Sequence, residues 1–307
     1  MNARQPITPQ PATRSGKVAS NGIELFYESR GPEDGEPIVF IMGLSAQMVF
    51  WPEPLLDALA SQGYRVIRFD NRDVGLSTRL RGERLPEAPA AMARYFLGLP
   101  VQSLYTLHDM VADTLGLLDA LDIERAHLVG ASMGGMIAQL LSARHPERVH
   151  SLVSIMSGPN SRWPLAPPKP AAMKTLVGPR KRIDTVEQFV EHGRWFMRTL
   201  GGRLPTSDVL IKQMFSQAWE RGLYPRGVRQ QFLGILATGS FRHELRKVVA
   251  PTTVIHGSED PLIRPVSGRA SAKAIANARF ELIRGMGHDL PDAALPKIAE
   301  LIASNAR

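Results

Sequence analysis

Ala126-His127-Leu128-Val129-Gly130-Ala131-Ser132-Met133-Gly134 is the stretch on which the reading of this chain turns. An apolar, strand-like run enters Gly-x-Ser-x-Gly and a helix-forming stretch leaves it, the setting required of a nucleophile elbow. The spacing has a mechanical cause. Ser132 must take a strained backbone conformation at a sharp turn, so the flanking positions must be too small to clash, and Gly130 and Gly134 meet that demand. Ordinary Gly/Ser-rich turns share the bare five-residue pattern; the strand before it and the helix after it set this one apart.

Outward from the elbow, strand-like and helix-like runs alternate. Residues 17–20 and 23–28 are short alternating runs joined by Asn21-Gly22, a strong signal for a two-residue hairpin. Residues 37–42 and 64–69 read as buried strands around a helix over 55–62, a β-α-β unit. From Thr106, the residues Leu107, Met110, Val111, Leu115, Leu118 and Leu121 recur at helical period, and Thr106-x-x-Asp109 has the form of a helix cap. A helix over 133–144 stops at His145-Pro146, and 149–156 is another buried strand. At Pro159 the rhythm breaks: Pro159, Pro164, Pro167, Pro168 and Pro170 crowd together, and helical patterns without strand-like runs fill about 175–245. It resumes with a strand over 251–256, a helix near 266–276, a strand at Arg279–Ile283 and a last helix from Leu295. The expected organisation is a disordered tail over 1–16, an α/β core from 17–158 and 250–307, and an inserted helical cap over 159–249.

At 307 residues and 44% hydrophobic the chain can bury the core of one elaborated domain. No apolar run is long enough to span a bilayer, and the polar, proline-bearing start lacks the apolar stretch of a secretory signal. Cysteine is absent, which excludes disulfides, thiolate metal sites and thiol nucleophiles; a cytoplasmic location is the expectation. The net charge of +8 is concentrated in 159–249, which holds 16 Lys/Arg against 6 Asp/Glu. No aromatic-interleaved basic stripe or reader motif accompanies it, so nucleic acid is not an expected partner. The excess reads first as a solvated basic face and second as an attractor of anionic substrates.

A serine hydroxyl needs a base within hydrogen-bond reach, itself oriented by a third group. In the strand-elbow-helix setting the chain order is Ser, acid, His, each just past a strand end. Of eight histidines, His288 in Gly285-Met286-Gly287-His288 directly follows a strand of the resumed alternation; the other seven precede the acid candidates. Among the acids between Ser132 and His288, most fall in the insertion or on helices, leaving Glu259 and Asp260. Asp260 precedes Pro261, where a turn can aim it inward while Glu259 points to water, and Asp289 is too close in sequence to orient His288 easily. Acyl transfer also needs donors aimed at the developing oxyanion, worth about 2.7–4 kcal/mol each. The Met133 N–H at the start of its helix is one candidate. A second lies in the loop after residue 42, where Gly43 permits close approach and the Leu44 N–H can donate.

Taken together, Ile41-Met42-Gly43-Leu44, Phe69-Asp70-Asn71-Arg72-Asp73-Val74-Gly75-Leu76-Ser77, Gly130-Ala131-Ser132-Met133-Gly134-Gly135, Gly257-Ser258-Glu259-Asp260-Pro261 and Gly285-Met286-Gly287-His288 resemble the α/β-hydrolase superfamily over about residues 17–305. Within it the chain is most similar to capped esterases of the aclacinomycin methylesterase type, which share the Met-Gly start of the oxyanion loop and the Asp-x-Arg-Asp-x-Gly-x-Ser turn. Many members carry His-Gly where Met42-Gly43 stands; the backbone donor is kept and an imidazole is missing. The resemblance implies a mostly parallel sheet with helices on both faces, a helical cap, a Ser132, Asp260, His288 triad and oxyanion donors at Leu44 and Met133. It implies a carboxylic-ester hydrolase acting on a small-molecule ester without metal or organic cofactor. Carbon-carbon bond hydrolysis or a cofactor-free haloperoxidase-like reaction on the same triad are alternatives, as is a ligand receptor that kept the fold. Families with haloalkane dehalogenase or epoxide hydrolase chemistry place Asp at the Ser132 position. Asp70, Arg72 and Ser77 are expected to pin the loop after their strand through local bonds. Met42, Met48, Met133, Met136, Met173, Met197 and Met214, with Phe50, Trp51, Trp163, Trp195 and Trp219, are candidates for an adaptable apolar pocket or, more simply, for core.

Overall fold

Asn21 and Gly22 both take positive φ, 47° and 77°, and fold β1 (Thr13–Ser20) back on β2 (Ile23–Arg30) in register. The computed structural model describes residues 13–82, 85–161, 166–177 and 182–307. Most of the expected tail, and Trp163, lie outside them. Residues 13–16, assigned to that tail from sequence, instead extend β1 by pairing with residues 27–30 of β2. Thr13-Arg14-Ser15-Gly16 carries no apolar alternation to announce a strand; main-chain bonds to β2 hold it, and Arg14 adds an ion pair to Glu33 at 2.5 Å.

The chain continues through β3 (Pro37–Ile41), α1 (Glu53–Ala60), β4 (Arg65–Phe69), α2 (Ala88–Phe96), α3 (Leu107–Ala120), β5 (Ala126–Ala131), α4 (Met133–Arg144) and β6 (Val149–Ile155). Among the described residues, α5 (Pro170–Val177), α6 (Val186–Leu200), α7 (Asp208–Glu220) and α8 (Pro225–Thr238) intervene before β7 (Thr252–Gly257), α9 (Pro265–Ala274), β8 (Arg279–Ile283) and α10 (Leu295–Ala306). Helix α2 has no counterpart in the sequence reading. Of its residues, Ala91 and Tyr95 are buried, against Leu233 and Leu236 of α8.

The described strands form one sheet in the order β1-β2-β4-β3-β5-β6-β7-β8, with β1, β2 and β4 pairing antiparallel in turn and every other pair parallel. Alternate residues sort to opposite faces. Ile38, Phe40, Val66, Val129, Val153 and Ile155 join α1 and α10, while Val39, Ile41, Ile67, Phe69, Leu128 and Leu152 join α3 and α4. Each such side chain stabilises the fold by roughly 1.5–3 kcal/mol. Helix α4 meets the sheet on one side and α3 and residues 244–247 on the other, and is buried over nearly its whole surface.

Strand order reverses at β3, which pairs with β4 on one edge and β5 on the other. Open sheets of this kind form a crevice at the carboxyl ends of the strands where the order switches. The loops after β3 and β5 therefore meet there, carrying Gly43-Leu44 and Ser132.

Candidate active site

Ser132 takes φ 55° and ψ −118°, a conformation that L-residues other than glycine rarely adopt. The surroundings hold it there. Its N–H donates to Ile155 O at 2.9 Å, and its carbonyl accepts from Met136 N at 3.2 Å and Ser157 Oγ at 2.7 Å. A Cβ on Gly134 would overlap the Ile41 carbonyl oxygen, and one on Gly130 would overlap the carbonyl of Gly134. The glycines are thus required by close backbone approach across the turn as well as by the turn itself.

His288 Nε2 lies 3.0 Å from Ser132 Oγ and its Nδ1 lies 2.7 Å from Asp260 Oδ2. With the carboxylate accepting from Nδ1–H, Nε2 is left as the acceptor for the serine hydroxyl. Asp260 is fully buried, and its Oδ1 accepts from the N–H groups of Leu262 and Ile263 at 2.8 and 2.9 Å, the turn before β7's following helix doing the aiming. Burial is the largest influence on this carboxyl and acts upward. Electrostatic attraction to His288, hydrogen bonds to His256 and His288 and attraction to His256 outweigh it, and the pKa is held at about 2. Glu259 does not simply face water: it pairs with Arg203 at 2.5 Å. Asp289 turns away from the imidazole, accepting from Thr206 Oγ1 at 2.8 Å and Gly287 N at 3.3 Å, and burial raises its pKa to about 6.

His256 is a residue that sequence reasoning missed. It is fully buried, its Nε2 lies 2.7 Å from Ile263 O and 3.4 Å from Asp260 Oδ2, and its Nδ1 has no hydrogen-bond partner. The proton therefore sits on Nε2, facing the acid and the turn that aims it. Its place two residues before Ser258 in the His256-Gly257 strand end was visible, but nothing in the spacing marked its side chain.

Among the described residues, neither the Leu44 nor the Met133 N–H has a hydrogen-bond acceptor. Gly43 lies so close to Ser132 that an added Cβ would stand 3.1 Å from the serine Cβ. The loop carrying Leu44 is gripped by side chains on several sides. Asn71 Nδ2 donates to Met42 O at 2.9 Å, the Ser45 N–H donates to Gln231 Oε1 at 2.8 Å, and the Met48 N–H donates to Asp70 Oδ1 at 2.8 Å. Gln47 reaches the carbonyls of Ala218 and Gly222 at 2.8 and 3.1 Å.

The turn over 70–77 is only partly the local knot expected. Ser77 Oγ donates to Asp70 O at 2.6 Å, and the Leu76 N–H reaches Asp70 Oδ2 at 2.9 Å. Arg72, however, crosses to Asp113 of α3 at 2.5 and 2.6 Å, and the buried Asp70 pairs with Arg221 at the end of α7. Asp73 accepts from Tyr105 at 2.7 Å and from Gln230 of α8 at 2.8 Å. The turn is thereby the post to which α7 and α8 are tied. A second tie runs from the stretch after α6 to the histidine loop, where His288 N donates to Leu200 O at 2.7 Å and Leu204 N to Gly285 O at 2.9 Å.

The methionines and aromatics divide. Trp51 and Met48 are fully buried core, whereas Phe50 packs edge-on against Phe215 of α7 at 5.0 Å, beside Val190 and Met214. A cavity of about 360 Å³ opens beside the acid loop, lined by Lys169, Thr199, Ser258, Glu259, Pro261 and Arg264 among others; none of Ser132, Asp260 and His288 lines it. Among the described residues no group of three or more His, Asp or Glu side chains is placed to hold a metal ion, and no helix is long and apolar enough to cross a membrane.

Rhodomycin D methylesterase of Streptomyces peucetius is 26% identical over 310 residues, covering 94% of this chain and 97% of the relative. The 3-oxoadipate enol-lactonase of Acinetobacter baylyi is 28% identical, covering 85% of each. Among solved structures, the enol-lactonase of Burkholderia xenovorans superposes with a TM-score of 0.69 at 23% identity, over 94% of this chain and 99% of the other, a likeness of fold. The sequence profile of the alpha/beta hydrolase fold matches residues 36–292. That span holds the elbow, the acid turn and the histidine loop alike, and the chain belongs to the alpha/beta hydrolase fold family.

Proposed function

We propose that this protein hydrolyses small carboxylic esters through an acyl-enzyme on Ser132. The observation that carries the reading is the unbroken chain Ser132 Oγ, His288 Nε2, His288 Nδ1, Asp260 Oδ2, with links of 3.0 and 2.7 Å. As Ser132 Oγ attacks the ester carbonyl, His288 Nε2 takes its proton, and Asp260 holds the imidazole in the needed tautomer and stabilises the imidazolium. The carbonyl oxygen, now anionic, is received by the N–H groups of Leu44 and Met133. His288 then gives the proton to the leaving alkoxide. In the second half a water molecule attacks the acyl carbon as His288 takes its proton, and His288 returns that proton to Ser132 Oγ as the carboxylic acid leaves.

Helices α5, α6, α7 and α8, between β6 and β7, act in this reading as a cap over residues 159–249, on a core of the remaining chain. The relatives named for a methylester and an enol-lactone both point to ester carbonyls as substrate. Turnover of a panel of alkyl and aryl esters, with intact-mass detection of an acyl adduct on Ser132, tests the proposal. Ser132→Ala and His288→Ala should each abolish all but residual turnover in folded protein, and the double variant should be little worse than either. Near-normal hydrolysis by either single variant would remove the triad, while one equivalent of product followed by arrest would mark a receptor instead of an enzyme.

A further inference from the structure

We propose that Gln231, on helix α8 of the insertion, is a positioning residue that sets the Leu44 N–H toward the oxyanion. The inference rests on the ester-hydrolase reading above. Leu44 is followed by Ser45, which takes a φ of 64°, a left-handed conformation that a serine keeps only where its surroundings hold it. The Ser45 N–H donates to Gln231 Oε1 at 2.8 Å, so the peptide unit immediately after the proposed donor is clamped by one side-chain amide. The other end of that amide is anchored as well: Gln231 Nε2 donates to Arg72 O at 2.8 Å. Arg72 is itself locked by two bonds to Asp113, and Gln231 is fully buried. Exchanging the oxygen and nitrogen of the amide would set donor against donor and acceptor against acceptor, so both bonds fix its orientation.

On the other side of Leu44, Asn71 Nδ2 holds Met42 O at 2.9 Å. The proposed donor thus sits between two amide clamps, one from the core turn and one from the insertion. Gln230 supplies an internal comparison. It is equally buried and adjacent on α8, but bonds to Asp73, Leu80 O and Arg226 and, among the described residues, makes no hydrogen bond to the loop over 42–48. Both glutamines tie α8 to the core, and only Gln231 reaches the oxyanion loop.

The test is steady-state hydrolysis of a p-nitrophenyl ester by wild type, Gln231→Met, Gln231→Glu and Gln230→Met, with thermal melts and with phenylboronic acid as probe. The boronic acid forms a tetrahedral adduct on the serine and places an oxygen in the oxyanion site. Outright loss of one oxyanion donor lowers kcat by about 10²–10³, and a misaimed donor should do less. Gln231→Met is therefore expected to lower kcat by about 10- to 100-fold with KM little changed, and to weaken phenylboronic acid by the same factor. Gln231→Glu keeps an acceptor for the Ser45 N–H but sets an acceptor against Arg72 O, so it should recover only part of that loss. Gln230→Met should melt earlier, as Gln231→Met does, yet keep its kcat. Should Gln231→Met fail to fold, Gln231→Asn carries the same expectation, because its shorter arm cannot span Ser45 N and Arg72 O together.

Wild-type kcat and boronate affinity in folded Gln231→Met or Gln231→Asn would overturn the inference alone, as would equal losses of kcat in the Gln230 and Gln231 variants. A wild-type protein without Ser132-dependent ester turnover would overturn the hydrolase reading, and the inference with it.

Discussion

Asp260 and Asp289 are both buried next to His288 in space or sequence, yet their carboxyls shift in opposite directions, and the signs lead to separable expectations. Asp260, at about 2, lies below the ordinary aspartate value, so its contribution to stability is present above about pH 4 and is lost as pH falls through 2. Asp289, raised to about 6 by burial, binds its proton more tightly in the folded chain than in the unfolded one. It stabilises below about pH 4, and that contribution drains away between about pH 4 and 6, on the order of 2–3 kcal/mol in all. Asp289→Asn should therefore flatten the fall in Tm over that interval; a profile parallel to wild type would refute the assignment. For catalysis the ranking concerns the two acids of the turn. Asp260→Asn should lower kcat by about 10³–10⁴ through the wrong histidine tautomer, while Glu259→Gln, which loses only the pair with exposed Arg203, should stay close to wild type. A more damaging Glu259→Gln would mean that the orienting acid is misplaced. That Ser132, Asp260 and His288 lie together could be read from sequence because strand ends and chain order narrowed the choices. His256, Asn71 and Gln231 could not, since their significance lies in which carbonyl or amide each meets through space.

The elbow and the β-α units were legible because period and punctuation agreed with the tertiary environment. Helix α4 begins and ends where residues 133–144 were read, and the Thr106–Asp109 reciprocal cap of α3 is formed, with Asp109 Oδ2 2.7 Å from Thr106 N. Thr106→Ala should thus lower stability by about 1 kcal/mol, measured by denaturant unfolding. The first residues of β1, held by main-chain pairing with no apolar alternation of their own, stayed hidden. Gly134 illustrates the opposite situation, in which one small residue sets how closely two elements approach. Gly134→Ala would drive a methyl into the Ile41 carbonyl at the end of β3, with α4 itself too buried to retreat. A loss of roughly 1–3 kcal/mol or more is expected, together with slower labelling of Ser132 by a fluorophosphonate. Labelling at the wild-type rate in a stable Gly134→Ala protein would show that the elbow relaxes freely.

Over the whole molecule, part of the basic character of the insertion resolves into attachments. Arg221 pairs with buried Asp70, Arg229 with Glu87, Arg203 with Glu259, and Arg194 with Glu191 and Asp208. Removing Arg221 strands a carboxylate that burial already pushes upward, so Arg221→Met should destabilise by about 3–5 kcal/mol, and adding Asp70→Asn should restore part of it. With the rest of the basic excess read as a solvated face, kcat/KM values for matched anionic and neutral esters should respond alike to added salt; a steeper fall for the anionic ester would assign the insertion a steering role. The reversal of strand order at β3 carries a different consequence, one that concerns how activity returns as the chain folds. The proposed nucleophile, base and acid all come from β5 onward, whereas the proposed oxyanion donor Leu44 comes from the strands on the far side of the β3–β5 seam. A chain in which only its later half had formed would own a reactive serine without the complete cradle for the transition state. Turnover consequently reports the zipping of that seam, a pairing of residues 38–41 with 127–130 that is distant in sequence and slow for that reason. On dilution from denaturant, hydrolysis should reappear with the last spectroscopic phase, after Ser132 has already become open to phosphonate labelling.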